Sequence, residues 1–246
     1  MKETFRPHQH KQPKGFLGKI RYFIRLLADF QFLTIFLDLK KEITGWKGEV
    51  LDVGCGEEPY KFLLSKDQTV YQGIDTNEAY KFDYVNHLVI HFDGRKIPFE
   101  DERFDGIMCT EVLEHVYDYQ QLVDEIFRVM KIGSKGIFTI PWSARNHYIP
   151  NDYFRYTPST ILRIFKCFNK IQISPRGTDL TSICAKILVV FIRNINPGLI
   201  WRFVFLPLWL ALSPLLFITL LIGHLSLLFG IGSNDDPLGY TILVEK

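Results

Sequence analysis

No excess of charge of one sign runs through this sequence. Its 29 Lys and Arg oppose 27 Asp and Glu, a formal net charge of +2, and no concentrated basic face can be read along it, so nucleic acid is not expected as a partner. Cysteine is scarce. Cys55, Cys109, Cys167 and Cys184 have neither metal-type spacing nor the density of an extracellular disulfide framework, which fits a reduced, cytosolic setting. A cleavable leader is not expected either, because Arg21, Arg25 and Asp29 interrupt the first apolar stretch and no cleavage site is evident. There is no internal repeat and no low-complexity tract. What remains, 246 residues at 47% hydrophobic and 23% charged, suffices for one α/β domain with a full core and one appendage.

A further absence is local. Residues 50–60, Val-Leu-Asp-Val-Gly-Cys-Gly-Glu-Glu-Pro-Tyr, read as an apolar strand running into a loop with two glycines. A dinucleotide loop needs Gly-x-Gly-x-x-Gly, its third glycine letting a helix N-terminus approach pyrophosphate. Here Gly54 and Gly56 are followed by Glu57, Glu58 and Pro59. The third glycine is missing, and two carboxylates would repel a pyrophosphate. A ligand with an ammonium group and no phosphate fits better. Val70–Asp75 reads as a second strand, ending about twenty residues downstream in a carboxylate placed to meet ribose hydroxyls.

These residues resemble the class I S-adenosylmethionine-dependent methyltransferases, with the match running from about Trp46 to Trp142. Asp52, Gly54, Cys55 and Gly56 resemble the family's first motif, which lies against the methionine part of the cofactor, and Asp75 resembles its ribose-binding acid. Asp93-Gly94 resembles the adenine-contacting element. Phe104–Cys109 resembles the fourth strand and Thr110–Val116 the loop and helix after it; Arg128–Gly133 and Gly136–Pro141 resemble the helix, turn and fifth strand. The resemblance implies S-adenosyl-L-methionine as cofactor, held by Asp52, Gly54, Cys55, Gly56, Asp75, Asp93, Gly94 and Cys109. It also implies an α/β fold: a doubly wound, seven-stranded Rossmann-like sheet, mostly parallel, with an antiparallel last strand. Phe30–Ile43 is expected as the helix covering the sheet, Pro158–Phe168 as a later helix, Lys170–Ser174 as strand six and the segment from Tyr240 as the last strand.

Between those last two strands lies an uncharged run, Phe203 to Asn234, longer than the roughly twenty residues that cross a bilayer and apolar all the way round. If both flanking strands join one sheet, the chain must leave and re-enter on the same side. A membrane-embedded helical hairpin with its tip at Ser213-Pro214 follows, since Pro207 and Pro214 interrupt backbone bonding. One kinked span with the tail strand left outside is the alternative. The expected organisation is a basic amphipathic segment over residues 1–29, a methyltransferase domain over 30–176 and 237–246, and a hydrophobic insertion over 177–236. In the first segment Lys11, Lys14, Lys19, Arg21 and Arg25 are interleaved with Phe16, Leu17, Ile20, Tyr22, Phe23, Ile24 and Leu26, a mixture suited to an anionic headgroup surface. The other reading is that Ile20, Phe23, Ile24 and Leu27 pack on the catalytic domain.

Chemistry belongs at the carboxyl ends of the strands. His115 is the first candidate base, as imidazole titrates near neutrality. The segment 147–158 supplies a second cluster, in which His147 and Tyr148 are candidate catalytic groups. Glu111, Asp152, Arg155 and Tyr156 are candidate substrate contacts, Arg155 through a bidentate grip on phosphate or carboxylate. A capped turn with Asp152 paired to Arg155 is the structural alternative. Glu111-x-x-Glu114-His115 resembles the metal-binding sequence of ubiquinone-pathway O-methyltransferases, but no metal is assigned, helix capping being the other explanation. The expected function is transfer of a methyl group, to oxygen as the resemblance implies, on a lipophilic or lipid-linked acceptor such as a polyprenyl-linked sugar, quinone precursor or lipid. The protein would be membrane-associated with its catalytic domain cytoplasmic. A membrane-anchored cofactor-binding scaffold without transfer is the alternative.

Overall fold

The computed structural model describes residues 10–82, 89–194 and 199–246. Two helices, α1 (Gly15–Ala28) and α2 (Phe30–Ile43), precede the sheet. Asp29 separates them by capping α2, its Oδ1 accepting from Phe32 N at 3.1 Å. Seven strands follow: β1 (Gly48–Val53), β2 (Thr69–Thr76), β3 (Ile90–Phe92), β4 (Phe104–Thr110), β5 (Met130–Pro141), β6 (Lys170–Arg176) and β7 (Gly239–Glu245). They form one sheet in the order β3-β2-β1-β4-β5-β7-β6. The first five are parallel, and β7 inserts antiparallel between β5 and β6, with Phe138 opposite Ile242 and Ile173 opposite Ile242. The seven-stranded mixed sheet is the architecture expected from the sequence.

Alternation along the strands splits the core in two. In β4, Ile107 and Cys109 enter one core while Met108 enters the other; in β5, Phe138 and Ile137 divide likewise. Helix α3 (Tyr119–Val129) covers the first face through Leu122, Val123, Ile126 and Val129, together with α4 (Pro158–Ile164); α1 and α2 cover the second. Helix α4 ends at Ile164, a turn earlier than expected, and Thr157 caps its start by accepting from Thr160 N.

Helices α5 (Asp179–Asn194) and α6 (Leu199–Phe229) lie between β6 and β7. The end of α6 meets the start of α5: Ser226 Oγ is 2.8 Å from both Thr178 Oγ1 and Thr181 Oγ1. The chain therefore does return to the sheet, but not by a hairpin at Ser213-Pro214. Helix α6 runs straight through both prolines. The reason is local: Pro214 has no N–H for the carbonyl of Leu210, and Ser213 Oγ donates to that carbonyl at 2.7 Å. Leu206–Phe229 is long and apolar enough to cross a membrane, and only 6% of its most apolar window is buried.

Helix α6 is fastened by small and polar residues together with Leu220 and Leu227, which pack on the cluster of Phe30, Cys184 and Leu238. Gly223 is buried where a Cβ would collide with the ring of Phe30, and His224 Nε2 lies 2.8 Å from the carbonyl of Leu27. Leu215, Phe217, Leu228 and Phe229 are exposed. On α1, too, Phe16, Leu17, Ile20, Phe23, Ile24 and Leu27 are exposed, and it is Tyr22 and Leu26 that pack on the domain. The alternative in which the former group packs inward is thus corrected.

Candidate functional site

At the carboxyl end of β1 the chain turns through Gly54 (φ 70°) and Gly56 (φ 49°), left-handed conformations that favour glycine. A Cβ on Gly54 would run into Val112, so the missing side chain lets this loop press against the segment that follows β4. Asp75, at the end of β2, holds the loop: its Oδ2 accepts from Gly56 N at 2.9 Å and its Oδ1 from Thr76 N at 2.7 Å.

Three carboxylates surround this turn. Asp52 lies fully buried beneath it; Tyr71 Oη donates to its Oδ2 at 2.7 Å, while its Oδ1 has no partner. Burial, with the nearby charges of Glu58 and Asp75 adding to it against the Tyr71 hydrogen bond, pushes the Asp52 carboxyl up to about 7. Burial also raises Asp75, against the opposing pull of the Gly56 and Thr76 amides. Glu58 is buried and paired with Lys61 at 3.1 Å. A cationic ligand relieves such a pocket, whereas pyrophosphate would aggravate it. The orphaned Asp52 oxygen and the glycine cradle fit a ligand with ammonium and sulfonium charges.

Other expected cofactor residues take different places. Cys55 points inward, where a Cβ on Gly73 would meet its Sγ, and burial raises its thiol well above the usual range. Cys109 enters the apolar core beneath Leu113, its thiol likewise raised by burial. Both are corrected to packing residues as far as their side chains go. Asp93 follows β3 on the same edge as Asp75, but its Oδ1 closes an Asx turn, accepting from Arg95 N and Lys96 N at 2.8 and 3.0 Å. Gly94 supplies the left-handed residue of that turn.

After β4 the chain makes a short 3-10 turn, Leu113–His115, and the loop after β5 is tied to it. Tyr153 N donates to the Glu114 carbonyl at 2.9 Å, Tyr156 Oη to that of Leu113 at 2.8 Å, and His115 Nδ1 lies 2.7 Å from that of Asn151. These ties bring the candidate catalytic residues together: the His115 ring centre is 4.9 Å from that of His147 and 5.7 Å from that of Tyr148. Phe82, which the sequence reading did not single out, completes the cluster at 5.2 Å from His115 and 5.3 Å from Tyr148.

The hydrogen bond to the Asn151 carbonyl requires Nδ1–H, so Nε2 of a neutral His115 carries the lone pair. Burial, reinforced by His147, lowers this imidazole to about 4. Glu114 is completely buried with neither carboxylate oxygen hydrogen-bonded, and burial holds its carboxyl well above the usual range. Ligand atoms of Glu114, His115 and His147 all lie within 4.8 Å of one another. That donor set suits a divalent ion, but it differs from the one suggested by Glu111-x-x-Glu114-His115. Glu111 turns away to Arg176, whose Nη2 donates to its Oε1 at 2.7 Å.

The expected substrate contacts are engaged with partners in the protein. Arg155 spends its fork on Asp152 at 2.6 and 2.9 Å, and Tyr156 is buried on the Leu113 carbonyl. Burial opposes the charge of Asp152, yet Arg155 and the His147 amide outweigh it and its carboxyl is lowered. Arg176, fully buried in β6, was also missed: a strand-end arginine gives no sequence signal until β6 and β7 are placed beside Glu111 and the Ile140 carbonyl.

Residues 51–138 match a family described as a methyltransferase domain. An uncharacterised protein of Methanocaldococcus jannaschii is 31% identical over 140 residues, 57% of this chain and 61% of that protein. A ubiquinone biosynthesis O-methyltransferase of Coxiella burnetii is 32% identical over 109 residues, 41% of this chain and 47% of the relative. The chain thus spans about half to three fifths of the length of these curated relatives. The crystal structure of a SAM-dependent methyltransferase from Archaeoglobus fulgidus shares the fold, with a TM-score of 0.55 at 20% identity over 92% of this chain and 99% of the other. Residues 51–138 therefore match a methyltransferase domain, set in a fold shared with a SAM-dependent methyltransferase.

Proposed function

We propose that this chain methylates a hydroxyl of a lipophilic or lipid-linked acceptor at the cytoplasmic face of a membrane. The observation that carries the chemical half is the neutral His115, its Nε2 free of the proton, in the cluster that packs beside the glycine loop. When bound, S-adenosylmethionine supplies an electrophilic methyl group. The Gly54-Cys55-Gly56 turn would carry the cofactor, Asp75 would accept from its ribose, and the buried carboxylates would favour its positive charge.

His115 takes the acceptor's proton at Nε2 while the Asn151 carbonyl keeps the ring in one tautomer. An imidazole lowered to about 4 is a weak base, so an acidic hydroxyl suits it better than an aliphatic one. A phenol, ionising near pH ~10, fits this requirement. Among the acceptors considered, a quinone precursor is favoured over a polyprenyl-linked sugar or a lipid alcohol, and the name of the Coxiella burnetii relative points the same way. Phe82 and Tyr148 give the acceptor aromatic walls. A divalent ion held by Glu114, His115 and His147 would satisfy the orphaned Glu114 oxygens, but it would occupy the same Nε2 lone pair of His115 and so replaces the base role rather than adding to it.

The membrane half rests on the insertion, residues 177–236. Helix α6 is fastened to the protein by Gly223, His224 and Ser226, with Leu220 and Leu227 packing beside them, and leaves Leu215, Phe217, Ile218, Leu228 and Phe229 exposed over the rest of its described surface. Its 31 residues extend about 46 Å, more than the ~30 Å of a hydrocarbon core.

Methyl-labelled cofactor incubated with the detergent-purified protein and a membrane extract tests the proposal. Label is expected in the lipid-soluble fraction, and Asp75→Ala is expected to weaken cofactor binding about tenfold. Bound cofactor with no label in any lipid or glycan fraction would favour the scaffold reading instead.

A further inference from the structure

The methyltransferase site leaves unused a cavity of about 440 Å³ on the other side of Glu57, between the segment before α1 and α1 itself. Its wall carries His10, Lys11, Lys14, Arg21 and Arg25, and the only carboxylate among its described lining residues is Glu57. Lys11 pairs with Glu57 and Arg25 with Asp29, both at 3.9 Å, and the cavity wall still carries more permanent cations than carboxylates. Gly18, Arg21 and Arg25 are spaced three and four residues apart on one face of α1, and Lys14 lies just before its first turn. Gly18 sits in the middle of this face, where a Cβ would meet only the Pro13 carbonyl carbon at 3.7 Å, and its lack of a side chain keeps the cavity open.

Beside the cationic face runs the exposed apolar one. Phe16, Ile20, Phe23 and Leu27 recur at helical spacing, with Phe16 79% and Phe23 61% exposed. The end of α1 is joined to α6 through the Leu27 carbonyl and His224, so the exposed apolar surfaces of the two helices belong to one assembly. Cations in a recess and apolar side chains next to it match the two parts of an anionic phospholipid, phosphate and acyl chain.

We propose that this cavity receives the phosphate of an anionic phospholipid headgroup, with Arg21 and Lys14 as its contacts and the apolar face of α1 among the acyl chains. The assignment rests on the membrane reading above. It gives the domain a second, lipid-selective attachment that orients the glycine loop, through Glu57, toward the bilayer surface. A pocket of this size lies within the ~300–1,000 Å³ of ordinary small-ligand sites.

Flotation of the full chain with vesicles of phosphatidylcholine, with and without phosphatidylglycerol, tests it. Phosphatidylglycerol is expected to raise affinity by about tenfold, the effect of one or two well-placed cations. Gly18→Leu, which fills the cavity without changing charge, is expected to abolish that increment, and Arg21→Gln to reduce it far more than Lys19→Gln, whose side chain does not line the cavity. Equal losses from Arg21→Gln and Lys19→Gln, or an unaltered increment in Gly18→Leu, would reduce the effect to diffuse attraction and overturn the site. Displacement of the vesicles by sodium phosphate, beyond that by sodium chloride of equal ionic strength, would overturn the lipid assignment in favour of a free-phosphate site. Cofactor affinity of Gly18→Leu, read by calorimetry, is expected to stay within about twofold; a larger loss would make the cavity part of the cofactor pocket. Failure to float with either vesicle would instead count against the membrane reading itself.

Discussion

Strand β5 and helix α6 are both rich in aliphatic and aromatic residues, and they settle in opposite environments. Ile137, Phe138 and Ile140 have protein on every side and almost no exposure; Leu215, Phe217 and Leu228 are 58%, 69% and 73% exposed. Composition does not separate the two, but the placing of the small and polar residues does. The sheet puts Lys131 and Lys135 at the rim of β5 and buries the apolar run. Helix α6 packs Gly223 and Ser226 inward together with Leu220 and Leu227, and exposes most of its other described apolar side chains. A water-soluble helix covers such an apolar surface, so this exposure argues that the solvent of α6 is not water.

The largest effect expected from breaking this contrast is a matched pair of phenylalanine substitutions. Phe138→Ala removes a ring packed at 4.7 Å from that of Phe165 and should cost about 3–5 kcal/mol. Phe217→Ser in detergent should cost less than about 0.5 kcal/mol, as for other outward positions. Chemical denaturation of the two variants in the same micelles measures both. Comparable losses would mean that α6 is packed against protein in solution and that the contrast is false.

A second prediction sharpens the sheet side, where one buried group lacks a match. The Asp52 carboxyl ionises near pH ~3.9 when unfolded and near 7 when folded. Between those values the folded state binds the proton more tightly, so the contribution to stability is complete below about pH 4, declines as pH rises, and is flat above about 7. The decline should amount to about 2–4 kcal/mol. Asp52→Asn is expected to remove most of it, leaving the smaller slope from Asp75, which is raised in the same direction. Denaturation midpoints of the cofactor-free protein at pH 5 and pH 8 provide the check. A bound ammonium group near Asp52 should restore the ionised form, and added cofactor should therefore shrink the slope in the native protein but not in the variant.

The residues that could be placed from sequence were those whose partners lie close along the chain or at standard strand ends. Gly54, Gly56 and Asp75 belong to this group, since a strand, a glycine turn and the next strand's last acid define their meeting point. The seven-stranded, mostly parallel sheet with its antiparallel last strand followed from the resemblance. Misplacements came where a side chain's partner depends on distant topology. Arg155 suited an anion by chemistry, but the buried Asp152 three residues away claims its whole fork. Glu111 sits in a metal-like spacing, yet β6, 65 residues on, brings Arg176 to it. Cys109 follows the fourth strand's motif, but strand alternation turns its sulfur into the core. Ser213-Pro214 marked a break by the rules of local bonding, and a single hydroxyl was enough to carry the helix through.

That hydroxyl supports the smallest prediction. Ser213→Ala leaves the Leu210 carbonyl without either the N–H that Pro214 lacks or the Oγ that replaces it. In water another donor would be at hand and the change would be nearly silent. In hydrocarbon the carbonyl stays unsatisfied, and the expected cost is about 1 kcal/mol, with a sharper bend at Pro214. Ser213→Thr keeps the hydroxyl and should behave as the native protein. Spin labels placed on either side of Pro214 report the bend, and comparing vesicles with a water-exposed peptide of the same segment separates the two solvents. If alanine is silent in both, Leu210 finds water at that depth, and this part of α6 lies outside the hydrocarbon even though its leucines face outward.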